Sequence, residues 1–324
     1  MNTLNKFAVG MLVAATSVFP NIASSADYPS RTIRIIVPVS AGGWGDVTTR
    51  VVAQKLGEVL GQAVLVDNRT GAGGLVGIRY TKEQPADGYT LMSTGSTLSI
   101  QEAVNKEPGY DALKDFAFVG TFARSPALIV AGAKSTYKSL GDLVADAKAH
   151  PGQISFGSAG IGTTTHIAAA MLLKQANLQM QHVPYKGNGA AMPDVIAGRV
   201  SFMVDSYGSS AAGLHGGLLK ALAVTSDSRL PVLADVPTTA QQGLPGFAYY
   251  YWLGLFAPAG TPPEVVKKLN DAMSKVLSDP ALKAKLQAQG TEAFYKNNAD
   301  SAAFLKTDLT ENQTMITNMG IPKQ

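Results

Sequence analysis

The chain has 324 residues, 46% of them hydrophobic and 15% charged, with a formal net charge of +4 and no cysteine. The missing cysteine excludes a disulfide scaffold, a thiolate nucleophile, an iron–sulfur cluster and a lipid-modified N-terminal cysteine. The basic residues are scattered, which excludes the clustered basic face of a nucleic-acid-binding protein and suits attraction of small anions.

Residues 1–26 read as an export signal. Lys6 supplies the positive start, Phe7 to Phe19 is an uncharged apolar run, and Ser24-Ser25-Ala26 is a small-residue cleavage site. The run is shorter than the roughly 20 residues a membrane span needs, so the expected product is exported, not membrane-embedded, and starts near Asp27. Strand–loop–helix units follow. Ile33–Val39 is a predicted strand, Ser40–Gly45 a glycine-rich loop, and Asp46 to Leu60 an amphipathic helix. Strand Ala63–Val66 leads to the glycine cluster Gly71–Gly74 and to Leu75–Lys82; Asp87-Gly88 turns into strand Tyr89–Ser93. Phe116–Phe122 and Ala127–Ala131 are predicted as strands on either side of Arg124-Ser125-Pro126, a crossover into a second unit.

The alternation then restarts with helix Ser139–Ala149, strand Ile154–Phe156, helix Thr163–Gln175, strand Gln181–Pro184, helix Gly189–Ala197 and strands Val200–Val204 and Leu219–Val224. Tyr249–Ala257 reads as the return crossover. Thr261 is a predicted N-cap, with Pro262 at the first helical position and Glu264 completing a capping box. Helices near Pro280–Gln289 and Ala299–Thr317 finish the chain. The pattern implies an α/β fold of two lobes, each a mainly parallel sheet flanked by helices, joined by two crossover strands, with a ligand cleft at the strand ends. The lobes are expected at residues 27–124 plus 249–324 and at 125–248.

Two loops carry the candidate chemistry. Ser40-Ala41-Gly42-Gly43 offers backbone N–H groups at a helix start, a site for a carboxylate. Ser158 to His166 repeats this logic, with Gly160 and Gly162 exposing N–H groups and Ser158, Thr163 and Thr164 adding hydroxyls; simple capping is the plain alternative. Trp44 is either a surface aromatic or a plate on which an organic ligand stacks. Thr94 and Tyr207 end strands and are candidate cleft residues, and Asp205 is best read as orienting a loop. The four histidines lack metal-ligand spacing, and no HExxH, GxSxG or paired acids are present, so neither metal, cofactor nor catalytic residue is expected.

These residues together resemble the Bug, or TctC-type, solute-binding proteins of tripartite tricarboxylate transporters. The resemblance runs through Tyr28-Pro29, Arg34, Ile36-Val37-Pro38, Ala41-Gly42-Gly43, Asp46 and Arg50, then Asn68-Arg69, Pro85 to Thr90, Ser158 to His166, His182 to Gly187, Val236-Pro237-Thr238 and Pro258 to Pro262. It departs at Val39-Ser40 and at Trp44, on the ligand loop. The resemblance implies a type II-like periplasmic binding protein, acting as a monomer, that closes on a dicarboxylate or aromatic carboxylate. It implies delivery to membrane permease subunits, with Ser40–Gly43, Asp46, Ser158–Thr164 and Asp205 as the matching site positions. A ligand-presenting sensor for a membrane receptor kinase, or an enzyme on the same scaffold, are the alternatives.

Overall fold

The computed structural model describes residues 28–321, 323 and 324, so the expected signal and its cleavage site lie outside the described residues. The first half of the chain builds β1 (Ile33–Val37), α1 (Trp44–Leu60), β2 (Val64–Asn68), α2 (Leu75–Lys82), β3 (Thr90–Gly95), α3 (Ser96–Val104), β4 (Phe116–Gly132) and α4 (Leu140–Ala149). It continues with β5 (Ser155–Ser158), α5 (Thr164–Ala176), β6 (Gln181–Pro184), α6 (Asn188–Ile196), β7 (Phe202–Ser206), α7 (Tyr207–His215) and β8 (Leu219–Val224). The last elements are β9 (Tyr250–Pro258), α8 (Pro263–Ser278), α9 (Pro280–Gln287), β10 (Glu292–Lys296) and α10 (Asn298–Asn318).

The strands run in the order β2-β1-β3-β9-β4-β7-β5-β6, with β8 and β10 also paired to β4. β1 is parallel to β2 and β3, and β5 is parallel to β6 and β7. Only Arg34 of β1 is exposed; Ile33, Ile35, Ile36 and Val37 are buried, as a parallel strand covered on both faces requires. β4 belongs to both lobes. Its first part, Phe116 to Pro126, pairs antiparallel with β9, and its last part, Ala127 to Gly132, pairs with β7 and β8. The architecture is the expected two-lobed α/β fold joined by two long strands.

The local differences have physical causes. Arg124-Ser125-Pro126 does not split β4, because Pro126 sits where pairing passes from β9 to β7 and its missing N–H disturbs little there. α3 and α7 were not predicted, since each is nine residues long and starts directly from a strand end. α8 begins one residue later than expected. Pro262 is its N-cap, no side chain caps it, and the Thr261 hydroxyl donates instead to the Pro258 carbonyl at 2.7 Å.

Candidate functional site

A cleft of about 1160 Å³ lies between the lobes, at the carboxyl ends of β1, β3, β5, β6 and β7. Six helices start on its wall. The N-caps of α1, α2, α3, α5, α6 and α7 are Gly43, Gly74, Gly95, Thr163, Gly187 and Ser206, and all six line the cleft. Five of these six helices have no side-chain cap; only Ser206 accepts from its own helix. Of the four helices that start elsewhere, α4, α9 and α10 are capped by Ser139, Asp279 and Asn297, and α8 alone has no side-chain cap. Uncapped helix starts leave N–H donors open, except at α2, where the Ala72 and Gly71 carbonyls accept from Leu75 and Val76; all direct the positive ends of their dipoles into the cleft. The arrangement favours an anion. The titratable side chains on the wall are few: Lys186, which is exposed, Asp205, which is buried, and the two tyrosines Tyr185 and Tyr251.

The first glycine loop is held in shape by Asp46, which is 3% exposed and does not line the cleft. Its Oδ2 accepts from the Gly42 N–H at 2.9 Å; its Oδ1 accepts from Arg50 Nε and Asn68 Nδ2, both at 2.9 Å. Burial alone would raise the Asp46 pKa, but the hydrogen bonds from Arg50, Gly42 and Asn68 outweigh it and hold the carboxyl below the ordinary carboxylate range. Asn68 also donates to the Val39 carbonyl at 3.0 Å, so the network fixes both ends of the loop. Ser40, Ala41 and Gly42 remain exposed on the cleft wall. Asp46→Ala removes three acceptor contacts, two of them from neutral donors and one from a charged one. We expect it to lower the unfolding free energy by about 2 kcal/mol, and Asp46→Asn by less, both read by urea titration.

The second loop is built differently from the sequence-based expectation. Of its four hydroxyls, three are turned inward. Ser158 is fully buried and contacts His182 Nε2 at 2.6 Å; Thr163 donates to the Gly160 carbonyl at 2.7 Å; Thr165 accepts from the Ala159 N–H at 2.9 Å. The Gly162 N–H donates to His166 Nδ1 at 3.1 Å, so neither Ser158 nor Gly162 lines the cleft. Gly160, Thr163 and Thr164 do line it. His166 and His182 stack with ring centroids 4.0 Å apart beneath this loop. Burial, and then the charge of His182, lowers the His166 pKa to about 4, and burial lowers that of His182. The Ser158–His182 contact has the length of a nucleophile–base pair, but the serine is sealed beneath the loop.

Of the two aromatic candidates, Trp44 lines the cleft and Tyr207 does not. Trp44 is 9% exposed; its indole Nε1 donates to Thr291 Oγ1 at 2.8 Å, and the ring packs over Gly208 and toward Tyr251. Its bulk therefore joins α1 to α7 at the cleft wall, with little of the ring left free for a ligand to stack on. The Tyr207 ring packs on Gly290 and its hydroxyl meets His215 Nε2 at 3.0 Å. Asp205 reaches the cleft wall, but its oxygens accept from Asn188 Nδ2 at 2.7 Å and Ser210 Oγ at 3.0 Å, an orienting arrangement. Burial pushes its pKa up to about 6, against hydrogen bonds from Ser206, Ser210 and Ser209. Thr94 lines the cleft at the end of β3, and its buried hydroxyl has no hydrogen-bond partner among the described residues.

Sequence reasoning missed Asn188 and Gln101, both on the cleft wall. Asn188 lies between the recognised stretch His182 to Gly187 and the predicted helix Gly189–Ala197, so a helix start there was a usable signal; Gln101 lies inside the unpredicted α3 and had none. Among the described residues there is no group of three or more His, Cys, Asp or Glu placed to hold a metal, and no helix long and apolar enough to cross a membrane.

Residues 48–321 match the family described as the tripartite tricarboxylate transporter family receptor. The chain is 36% identical over 306 residues to the UPF0065 protein in the tcbD-tcbE intergenic region of Pseudomonas sp. (strain P51), covering 94% of this chain and 90% of that one. Among solved structures, the periplasmic binding protein BugD is 31% identical with a TM-score of 0.85, covering 92% of this chain and 100% of that one. The Rpa4515 protein of R. palustris with adipate is 30% identical with a TM-score of 0.87, over 91% and 99%. MatC of Rhodopseudomonas palustris with bound malate is 28% identical with a TM-score of 0.82, over 89% and 100%.

Proposed function

We infer, from the premise that this chain belongs to the tripartite tricarboxylate transporter receptor family, that it captures an organic carboxylate between its lobes in the periplasm and delivers it to a transporter of that type. The observation that carries the ligand class is the convergence of six helix starts on one cleft, five of them without a side-chain cap. Backbone donors from both lobes suit a ligand with an anionic group at one end and a second carboxylate or polar group at the other. Between them the wall offers Val39, Leu75, Ile161, Met192 and Leu253 to an apolar body. Ser40–Gly43, Gly160, Thr164 and the unpartnered Thr94 hydroxyl are the contacts in this reading, with the edge of Trp44 on the wall beside them. Asp46, Ser158, Gly162, Thr163 and Asp205 hold the loops and helices that supply them, and Tyr207 packs behind. Relatives with adipate and malate bound support small dicarboxylates as the first candidates.

The lobes, residues 27–124 with 249–324 and residues 125–248, close about β4 and β9, the hinge type of motion that traps a ligand. No chemistry is asked of the site. A thermal-shift screen over dicarboxylates and aromatic carboxylates tests the reading. A true ligand at about 100 times its Kd adds roughly 2.7 kcal/mol of stability and raises Tm, with no turnover of the ligand on incubation. A rise with sugars or cations alone, or consumption of the ligand, would overturn it.

A further inference from the structure

The lobes also touch away from β4 and β9, along one edge of the cleft. Ile100, Ala103 and Val104 of α3 and Ile316 of α10, all first-lobe residues, form one buried apolar cluster with Ile167 of α5 in the second lobe. Three methionines, Met171, Met315 and Met319, pack at its margin. Flexible thioether chains let such a contact slide without opening voids. At the cleft side of this contact stands Gln101, 3% exposed. Its Nε2 donates across the lobes to the Gly162 carbonyl at 2.9 Å. Its Oε1 accepts from Asn105 Nδ2 at 2.9 Å, which fixes the amide with its donor toward the second lobe. A Cβ on Gly73 would lie 2.5 Å from that Nε2, so glycine is what lets the first lobe's Gly71–Gly74 loop close over the amide. The acceptor belongs to the loop whose Gly162 N–H is held by His166.

We propose that Gln101 is a positioning residue that latches the two lobes, holding the second anion loop against α3 so that the donors of both lobes face one cleft before a ligand arrives. The contact joins a side chain of one lobe to a backbone carbonyl of the other, so it breaks when the lobes part. Its use in ligand capture rests on the carboxylate-binding reading above; the latch itself does not.

The test compares the unsubstituted protein with Gln101→Leu and Gln101→Glu, each first verified as folded by circular dichroism. Leucine keeps the volume and lacks the donor. Glutamate near pH 8 sets a carboxylate against the Gly162 carbonyl, acceptor against acceptor, whereas near pH 5 the protonated acid, which burial favours, regains an O–H that donates. Small-angle scattering should give a larger radius of gyration for Gln101→Leu at both pH values, and for Gln101→Glu at the higher pH alone. Hydrogen exchange at the Gly162 and Ile167 amides, both bonded within this loop, should quicken about five- to tenfold in the same states. A merely structural glutamine would show no recovery of Gln101→Glu on acidification. Radius and exchange equal to the parent's in both variants at both pH values would overturn the latch. Adipate is the binding probe, and its dissociation should quicken about five- to tenfold in the opened states. If adipate and the other screened carboxylates bind none of the three proteins while the radius and exchange change as described, the latch stands and the carboxylate reading fails.

Discussion

Gly95→Ala is expected to cost about 4 kcal/mol or more of unfolding free energy, a loss large for one methyl group. A Cβ on Gly95 would stand 1.9 Å from the Trp252 carbonyl oxygen and 2.6 Å from its carbon. The obstacle is backbone, and it belongs to the neighbouring strand: Thr94 pairs with Gly254 and Gly95 with Leu253. No rotamer change relieves the clash. β3 and β9 must separate, and β9 runs beside β4, the strand that belongs to both lobes. Gly42→Ala is the matched control. Gly42 has φ of +80° but nothing within 4 Å of its added Cβ, so the substitution should cost only about 1 kcal/mol of backbone strain. Urea unfolding of the two variants beside the parent reads the difference. Gly95 and Trp252 both line the cleft, so Gly95→Ala should also abolish the stabilisation any ligand confers.

The second large effect is on acid stability and runs through His166. Its pKa is lowered from 6.5 to about 4, by burial first and then by His182. Between these values the unfolded chain binds a proton that the folded protein refuses, so stability falls as pH drops through this window. The full shift amounts to about 3 kcal/mol, present above pH 6.5 and lost on approaching pH 4. Asp205 and Asp308 act oppositely. Burial raises each to about 6 from 3.8, so their contribution is present below the unfolded value and is lost as pH rises through 6. The parent's total pH dependence is therefore a sum of opposed parts, and a His166→Gln comparison isolates one of them. The fall in unfolding free energy from pH 7 to pH 4.5 should be smaller in the variant by about 2–3 kcal/mol. An unchanged difference would mean that the histidine stack takes up its proton without penalty.

The fold was legible because each strand–loop–helix unit carries its own punctuation. Ile33–Val37, Leu75–Lys82, Gln181–Pro184 and Leu219–Val224 lie where apolar runs and glycine or proline boundaries place them. The two anion loops were legible for the same reason. What each residue does inside them was not. Ser158 and Thr163 look like ligand hydroxyls in a sequence, yet they bond to His182 and Gly160. A hydroxyl's direction depends on which residues lie beneath the loop, and those come from strands distant in the chain. Trp44 shows the same limit, since its partners are Thr291 and Gly208. α3 and α7 escaped because each follows its strand with no intervening loop, so nothing in the sequence separates strand from helix.

The six helix starts around the cleft have a consequence for how such a receptor changes its preference. On the proposed reading peptide groups grip the charge, and a substitution leaves the peptide group in place. The apolar side chains between the helix starts could then be exchanged for larger, smaller or more polar ones while the hold on the anion persists. On that reading the backbone carries the taste for acids, and a handful of wall side chains would decide which acid.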